Sequence, residues 1–307
     1  MTPTLVRHRS RTSSPSPAAA SGRHHAETPE TAQNTEAAQR AETSARARDW
    51  AEIQERMLVP LYEAVYDRLE VGATTRLLGL GCGSGLALLM AAARGARVTG
   101  ADTDRERLAL ALERTASGRT APGPLPRTAG IDLVHGDVGG AADPARPPYN
   151  VITALAPLGC EAGDSEGLGT ALEAAVKLAG HGSAVVLTGW GPPERCATSG
   201  VLRVAGRLTP RPHGGRRPAR RDDLEDVAAG AGLRPDGSGR VACPFGYADM
   251  SSAVRGLVST GLYADATAGN GRARVEEEIA EALHPYTRRD GTVWMPNVFR
   301  YLIARTP

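Results

Sequence analysis

Residues 77–85 read LLGLGCGSG, an apolar run that passes into glycines at every second position. The apolar residues predict a strand, and the Ala- and Leu-rich residues 85–93 predict a helix after the turn. Glycine permits positive φ and lets backbone N–H groups approach a ligand without an intervening Cβ. A dinucleotide fingerprint requires G-x-G-x-x-G, but Leu86 stands where the third glycine belongs. The turn therefore predicts a ligand site and leaves the ligand open.

Strand and helix candidates alternate on both sides of this turn. The predicted strands are Arg76–Leu80, Arg97–Ala101, Ile131–His135, Val151–Leu155, Ser183–Thr188, Arg240–Phe245 and Val298–Ala304. The helical stretches are Gly85–Ala93, Arg105–Arg114, Glu166–Leu178, Leu224–Ala231, Met250–Gly261 and Ala273–Leu283. Nearly continuous apolar strands that alternate with helices predict a doubly wound α/β fold with a mainly parallel sheet.

Acidic residues follow the next two predicted strands. Asp102 ends the strand after the glycine turn, where a carboxylate can accept both hydroxyl hydrogens of a ribose. Asp104 is interpreted as the cap of the following helix. Asp137 ends the third strand and can accept from an adenine amino group, while the N–H of Val138 can donate to the ring. Three such features on consecutive strand ends predict a nucleoside-containing ligand.

With these elements the chain resembles the class I S-adenosylmethionine-dependent methyltransferases of the small-molecule type, from about Arg48 to Arg305. The matching segments are residues 80–85, 98–102 and 136–137 and the turn 180–182. The resemblance implies a Rossmann-like seven-stranded sheet, mainly parallel with an antiparallel last strand. It also implies S-adenosyl-L-methionine as cofactor and a small organic molecule as methyl acceptor.

The resemblance further implies which residues bind the cofactor. They are Gly81, Cys82, Gly83, Gly85, Asp102, Thr103, Asp137, Val138 and Trp50. The glycines would pass beneath the methionine and ribose parts, Asp102 would bind the ribose, and Asp137 and Val138 would hold the adenine. Trp50 would either cover the cofactor or pack in the core. Gly79 departs from the family, which carries Asp or Glu there to position the amino acid end of the cofactor.

The segment 246–297, about fifty residues between the last two strands, predicts a helical cap over the active site, because its ends lie beside the carboxyl ends of the parallel strands. Methyl transfer by in-line displacement depends mainly on positioning and on exclusion of water. An oxygen acceptor also needs a base. His284 is the first candidate and His213 the second, with Tyr247 and Asp249 as alternatives.

Composition sets the remaining limits. The chain has 307 residues and a formal charge of +2, which disfavours a protein that mainly coats nucleic acid. The four cysteines include no C-x-x-C pair, which disfavours a zinc site. The chain also lacks a run of about 18 apolar residues, so we expect no membrane span. Residues 1–45 contain almost no large apolar side chain and predict a disordered tail before a domain at 46–307. We expect a cytoplasmic protein.

Two alternatives stay open. A nucleic-acid methyltransferase would use the basic run at residues 211–221, although acidic residues follow it at once and stacking aromatics are missing around it. A non-catalytic protein that binds S-adenosylmethionine is favoured by Gly79. The sequence does not specify the acceptor, the atom that is methylated or the oligomeric state.

Overall fold

The computed structural model describes residues 29–120, 131–158, 166–208 and 222–307. The chain divides into two units, residues 1–40 and residues 41–307. Of the first unit, the structure describes residues 29–40, which belong to the helix Pro29–Asp49. His213 and the basic run at residues 211–221 lie outside the described residues.

The described residues contain nine strands and ten α-helices, besides short 3₁₀ and π turns. The strands are β1 (Arg76–Leu80), β2 (Arg97–Asp102), β3 (Ile131–His135), β4 (Tyr149–Leu158), β5 (Ala179–Trp190), β6 (Arg234–Ala242), β7 (Phe245–Tyr247), β8 (Val293–Met295) and β9 (Val298–Arg305). The helices are α1 (Pro29–Asp49), α2 (Val59–Arg68), α3 (Leu86–Ala93), α4 (Arg105–Thr120), α5 (Glu166–Val176), α6 (Thr198–Leu208), α7 (Asp223–Gly230), α8 (Met250–Val258), α9 (Ala264–Asn270) and α10 (Arg272–Leu283).

Seven strands form one sheet in the order β3-β2-β1-β4-β5-β9-β6. The pairs from β3 to β5 are parallel, and β9 is antiparallel to both β5 and β6. This order confirms the predicted doubly wound, mainly parallel sheet with an antiparallel last strand. It also places the carboxyl ends of β1, β2 and β4 at one edge, where ligands collect in open α/β sheets.

Both faces of the sheet are buried. Successive side chains of a strand point to opposite faces, and Leu77 and Val186 belong to one apolar cluster while Leu78 and Val185 belong to the other. Helices α2, α3 and α6 contribute to the first cluster, whereas α5 and α7 contribute to the second. This two-sided burial explains why the strands read as nearly continuous apolar runs.

The N-terminal helix α1 differs from the prediction of a disordered tail over residues 1–45. Residues 29–45 belong to this helix, and the preceding residues 1–28 lie outside the described residues. The segment is rich in Ala, Glu, Gln and Arg, which favour helix without requiring an apolar face. The absence of large apolar residues does not distinguish a solvated helix from disorder, because both leave polar side chains in water.

A change of helix type follows α1. Residues Trp50–Gln54 form a π-helical turn and Glu55–Leu58 a 3₁₀ turn, before α2 begins with Pro60 in its first turn. A π turn carries more residues per turn than an α-helix and so rotates the following side chains relative to the α-helical register. Glu55 is consequently buried, although the apolar steps Trp50, Ile53, Met57 and Leu61 place it off the inward face of a regular helix. The neighbouring Gln54 is also buried, as the same steps indicate.

The segment between β6 and β9 contains the antiparallel ribbon β7–β8 and helices α8, α9 and α10. The strand predicted over Arg240–Phe245 is divided, because β6 ends at Ala242 and Phe245 opens β7 in the smaller sheet. Asp249 accepts a hydrogen bond from the backbone N–H of Ser252 at 2.7 Å and caps α8. Among the helices described, none is both long enough and apolar enough to cross a membrane.

Candidate functional site

A cavity of about 310 Å³ lies at the carboxyl ends of β1 and β4. This volume is at the small end of the range for ligand sites. The residues that line it are Trp50, Gln54, Glu55, Leu58, Tyr62, Gly79, Leu80, Gly81, Cys82, Gly83, Ala87, Leu88, Arg107, Thr153, Leu155, Ala156, Pro157, Leu158, Trp190, Phe245, Thr260, Leu262 and Phe299. The cavity has a polar end at the glycine turn and an apolar end at the start of β9.

The glycine turn forms part of the cavity wall. Gly81 and Gly83 have φ of +61° and +56°, a left-handed conformation that other residues adopt only with strain. A Cβ on Gly81 would meet no atom within 4 Å, so open space lies above it. Gly85 lies outside the cavity lining, and its missing side chain instead makes room for α4, since a Cβ there would lie 3.0 Å from that of Ala111.

Asp102 ties the glycine turn to the end of β2. Its Oδ2 accepts from the backbone N–H of Gly83 at 2.6 Å, and its Oδ1 accepts from the N–H of Asp104 at 2.8 Å. Each carboxylate oxygen has a further lone pair for a ligand hydroxyl. Asp102 is half-buried just outside the cavity lining, and the neighbouring Thr103 is exposed.

Asp137 and Val138 lie at the end of β3, one strand further along the same edge. Asp137 accepts from the backbone N–H of Gly139 at 3.1 Å and caps a 3₁₀ turn that begins with the buried Val138. The N–H of Gly136 donates to the backbone oxygen of Asp102 at 2.9 Å, which links the two strand ends. The fold thus brings Asp102 and Asp137 to one edge, although neither lines the cavity itself.

Trp50 covers the polar end of the cavity. The guanidinium of Arg107 lies 4.3 Å from the centre of the indole ring and donates to the backbone oxygen of Ser259 at 3.1 Å. Burial lowers the pKa of Arg107, and the carboxylates of Asp104 and Asp102 partly oppose this shift. The indole Nε1 is buried and has no hydrogen-bond partner among the described residues. A buried donor without an acceptor is costly, which marks Nε1 as a candidate ligand contact.

A buried carboxylate that the sequence analysis missed lies beside Trp50. Glu55 is 2% exposed, and its Oε2 accepts from the Ser84 hydroxyl and from Nη1 of Arg114, the latter at 3.0 Å. Arg114 also donates to the backbone oxygens of Ser84 and Ala51, each at 3.0 Å. These bonds join the π-helical segment to the glycine turn. No motif in the sequence indicates this cluster, because the π turn that buries Glu55 has no sequence signature.

The apolar end of the cavity is formed by three aromatic rings. The ring centres of Trp190 and Phe299 are 4.6 Å apart, and the centre of the Phe245 ring lies 5.9 Å from that of Phe299. The chain contains only two phenylalanines, and both line this cavity. The three rings pack against one another at this end of the cavity, and the side chains of Phe245 and Phe299 are buried.

The predicted catalytic bases lie elsewhere. His284 is exposed and follows Leu283, the last inward residue of α10, so the helix directs the histidine outward. Tyr247 is buried outside the cavity lining, where its hydroxyl donates to Oε1 of Gln54 at 2.9 Å. Burial raises the pKa of Tyr247 far above its usual range. Asp249 serves as a helix cap, and that hydrogen bond lowers its pKa. None of these three predicted bases lines the cavity, whereas Gln54 does.

Cys82 lines the cavity with a protonated thiol. Burial and the nearby Asp102 raise its pKa to about 12, so the thiolate does not form near neutral pH. Gly100 provides the space for this side chain, because a Cβ there would lie 2.8 Å from the Cys82 sulfur. Cys82 is therefore a packing residue of the turn rather than a nucleophile.

Gly79 also lines the cavity, at the position where the resembling family carries an acid. A Cβ on Gly79 would lie 2.9 Å from Cδ2 of Leu88, a side chain that is 2% exposed. A larger residue would therefore require Leu88 to move. The glycine fits the local packing of β1 against α3.

No protein-family model matches the chain, and no curated protein matches its sequence. Solved structures do resemble it. YjhP from E. coli is 19% identical with a TM-score of 0.49, covering 86% of this chain and 99% of that one. Geranyl diphosphate C-methyltransferase from Streptomyces coelicolor A3(2), solved with Mg²⁺, geranyl-S-thiolodiphosphate and S-adenosyl-L-homocysteine, is 14% identical with a TM-score of 0.44. The match covers 80% of this chain and 75% of that one. The [4+2]-cyclase SpnF is 16% identical with a TM-score of 0.46, covering 80% of each chain.

The chain has a Rossmann-like, doubly wound fold. The strand order and the antiparallel β9 establish this architecture. At these identities the likeness concerns the fold alone.

Proposed function

We propose that this protein transfers a methyl group from S-adenosyl-L-methionine to a small, largely apolar organic molecule. The observation that supports this function is the two-ended cavity. The glycine turn, Trp50 and Glu55 form one end, and the aromatic rings of Phe245 and Phe299 form the other. A single cavity with a polar and an apolar end suits two different reactants held side by side.

The residues present fit the cofactor. Asp102 retains lone pairs for the ribose hydroxyls, and Asp137 and the N–H of Val138 lie one strand further along for the adenine. The open space above Gly81 admits a ligand against the backbone. The buried Nε1 of Trp50 still needs an acceptor. When bound, the cofactor supplies an electrophilic methyl group on a sulfonium sulfur, which an acceptor displaces in line.

The contribution of the protein is placement and exclusion of water. Residues 155–158 at the end of β4, with the aromatic rings, form an apolar wall that keeps water from the acceptor. Gln54, fixed by the Tyr247 hydroxyl, offers its amide group to a polar atom of the acceptor. Burial and the nearby Glu55 hold the pKa of Tyr62 well above its usual range, so this phenol stays protonated. No histidine lines the cavity among the residues described.

The test is a calorimetric titration with S-adenosylhomocysteine, with NADH as the control nucleotide. We expect micromolar binding of the first and none of the second. Protein that binds is then incubated with S-adenosylmethionine and a panel of apolar phenols, amines and carboxylic acids, and released S-adenosylhomocysteine is measured. Absence of binding would overturn the proposal. Tight binding without turnover on any acceptor would favour a non-catalytic binding protein.

A further inference from the structure

A hydrogen-bond donor and an acceptor face one point of the cavity. A Cβ built on Gly83 would lie 3.4 Å from Nε1 of Trp50 and 3.5 Å from Oε1 of Glu55. The two atoms therefore lie close together against Gly83, with no side chain of that residue between them. All three residues line the cavity, so a ligand group that bridges the two side chains beside Gly83 would meet both.

The two side chains are held in place for such a contact. The bonds from Ser84 and Arg114 both engage Oε2 of Glu55, while Oε1 faces Gly83. The Trp50 ring is stacked against Arg107, and its N–H lacks a partner among the described residues. A buried carboxylate and a buried N–H that are fixed before binding lose little conformational entropy when a ligand arrives.

The charges around this point suit a zwitterion. Glu55 presents a carboxylate oxygen to a cation, and the N–H of Trp50, with the positive charge of Arg107 behind its ring, suits an anion. An α-amino acid group carries an ammonium and a carboxylate on one carbon and satisfies both at once. A neutral ligand group would leave the carboxylate of Glu55 without a charged partner on the cavity side.

We infer that Glu55 and Trp50 bind the α-ammonium and the α-carboxylate of the cofactor's amino acid end. The acid thus comes from the helical segment before α2, whereas β1 carries Gly79 packed against Leu88. This inference rests on the proposed function. Under this inference, glycine at position 79 does not weaken cofactor binding, because a different element supplies the carboxylate.

The experiment compares two nucleosides by calorimetry. S-adenosylhomocysteine carries the amino acid end, and 5′-methylthioadenosine lacks it. We expect Glu55→Gln to weaken S-adenosylhomocysteine by about 10- to 100-fold, as for a lost charged hydrogen bond, and to leave methylthioadenosine unchanged. Trp50→Phe keeps the ring and removes the N–H, with a smaller effect in the same direction. Glu52→Gln changes an exposed acid three residues earlier and is the matched control.

Each outcome separates this inference from the proposed function. Equal binding of S-adenosylhomocysteine by the wild type, Glu55→Gln and Trp50→Phe overturns the inference and leaves the function intact. A parallel loss of both nucleosides in Glu55→Gln also overturns it, because Glu55 would then act through the glycine turn. Failure of the wild type to bind either nucleoside overturns the proposed function. Thermal denaturation identifies a variant that does not fold, and Trp50→Phe then decides.

Discussion

The two ends of the cavity are built in opposite ways. At the polar end, the carboxylate of Glu55 is held by hydrogen bonds from Ser84 and Arg114, two residues of other elements. At the apolar end, Trp190, Phe245 and Phe299 are held by packing against one another. Directional bonds fix a few atoms, whereas packing fixes a shape. The polar end is therefore specified by individual atoms and the apolar end by volume.

The largest effect is expected from Phe299→Ala, which removes a fully buried ring from the apolar end. We expect the free energy of unfolding to fall by about 3–5 kcal/mol, as for other buried aromatic truncations. Urea denaturation followed by circular dichroism measures this. Trp294→Ala truncates a ring that is 40% exposed and is the control. Equal losses in both variants would contradict the packing role assigned to Phe299.

The next effect concerns the polar end. We expect Asp102→Ala to weaken S-adenosylhomocysteine binding by about 2–3 kcal/mol, because a charged acceptor of hydrogen bonds is lost. Calorimetric titration measures the change. Asp132→Ala removes an acid from the exposed side of β3 and is the matched control. A folded Asp102→Ala protein with unchanged affinity would remove Asp102 from the cofactor site.

A smaller effect separates the two ends. Tyr247→Phe deletes the hydroxyl that holds Gln54 and leaves the ring in place. We expect acceptor binding to weaken by about 0.5–1.5 kcal/mol, the worth of one neutral hydrogen bond, while cofactor binding stays the same. KM for the acceptor and Kd for S-adenosylhomocysteine are the two measurements. A change in the Kd for S-adenosylhomocysteine alone would show that Gln54 acts at the polar end of the cavity.

The smallest expected effect is on the free energy of unfolding and comes from the Cys82 thiol. It is absent at neutral pH and develops only at alkaline pH. Burial raises the pKa of Cys82 to about 12 from its usual value of 9.0, so the folded state keeps a proton that the unfolded state releases. The stability linked to this proton is complete below pH 9 and is lost as pH rises toward 12, with a slope of at most about 1.4 kcal/mol per pH unit. Urea denaturation of the wild type and Cys82→Ala between pH 8 and 10 measures it. Parallel curves would contradict the shift.

The sequence predicted the strand edge of the site better than its helical side. The glycine turn and Asp102 were predictable because strand, turn and helix are set by local patterns and the carboxyl ends of parallel strands meet at one edge. The burial of Glu55 was not predictable, because it depends on a π turn that shifts the helical register. The sequence also could not show the N–H of Trp50 without an acceptor, since that requires coordinates.

The predicted bases His284 and Tyr247 lie outside the cavity lining for a related reason. His284 and Tyr247 were selected because their segment lies between the last two strands, and position along the chain does not fix the direction of a side chain. The helix α10 turns His284 to solvent, and the hydrogen bond to Gln54 holds Tyr247 in the core. His284 follows the buried Leu283 and lies about 100° further around the helix axis, where its side chain is exposed.

Because of the π turn at Trp50–Gln54, the number of residues in this segment determines where Glu55 lies. Deleting one residue there would return the segment to an ordinary helical register and rotate Glu55 away from Gly83, although every functional side chain would still be present. A position-by-position comparison would find glycine at residue 79 and would assign Glu55 to the outer face of an amphipathic helix. Insertions and deletions before α2 therefore deserve the same weight as substitutions when relatives of this chain are sought.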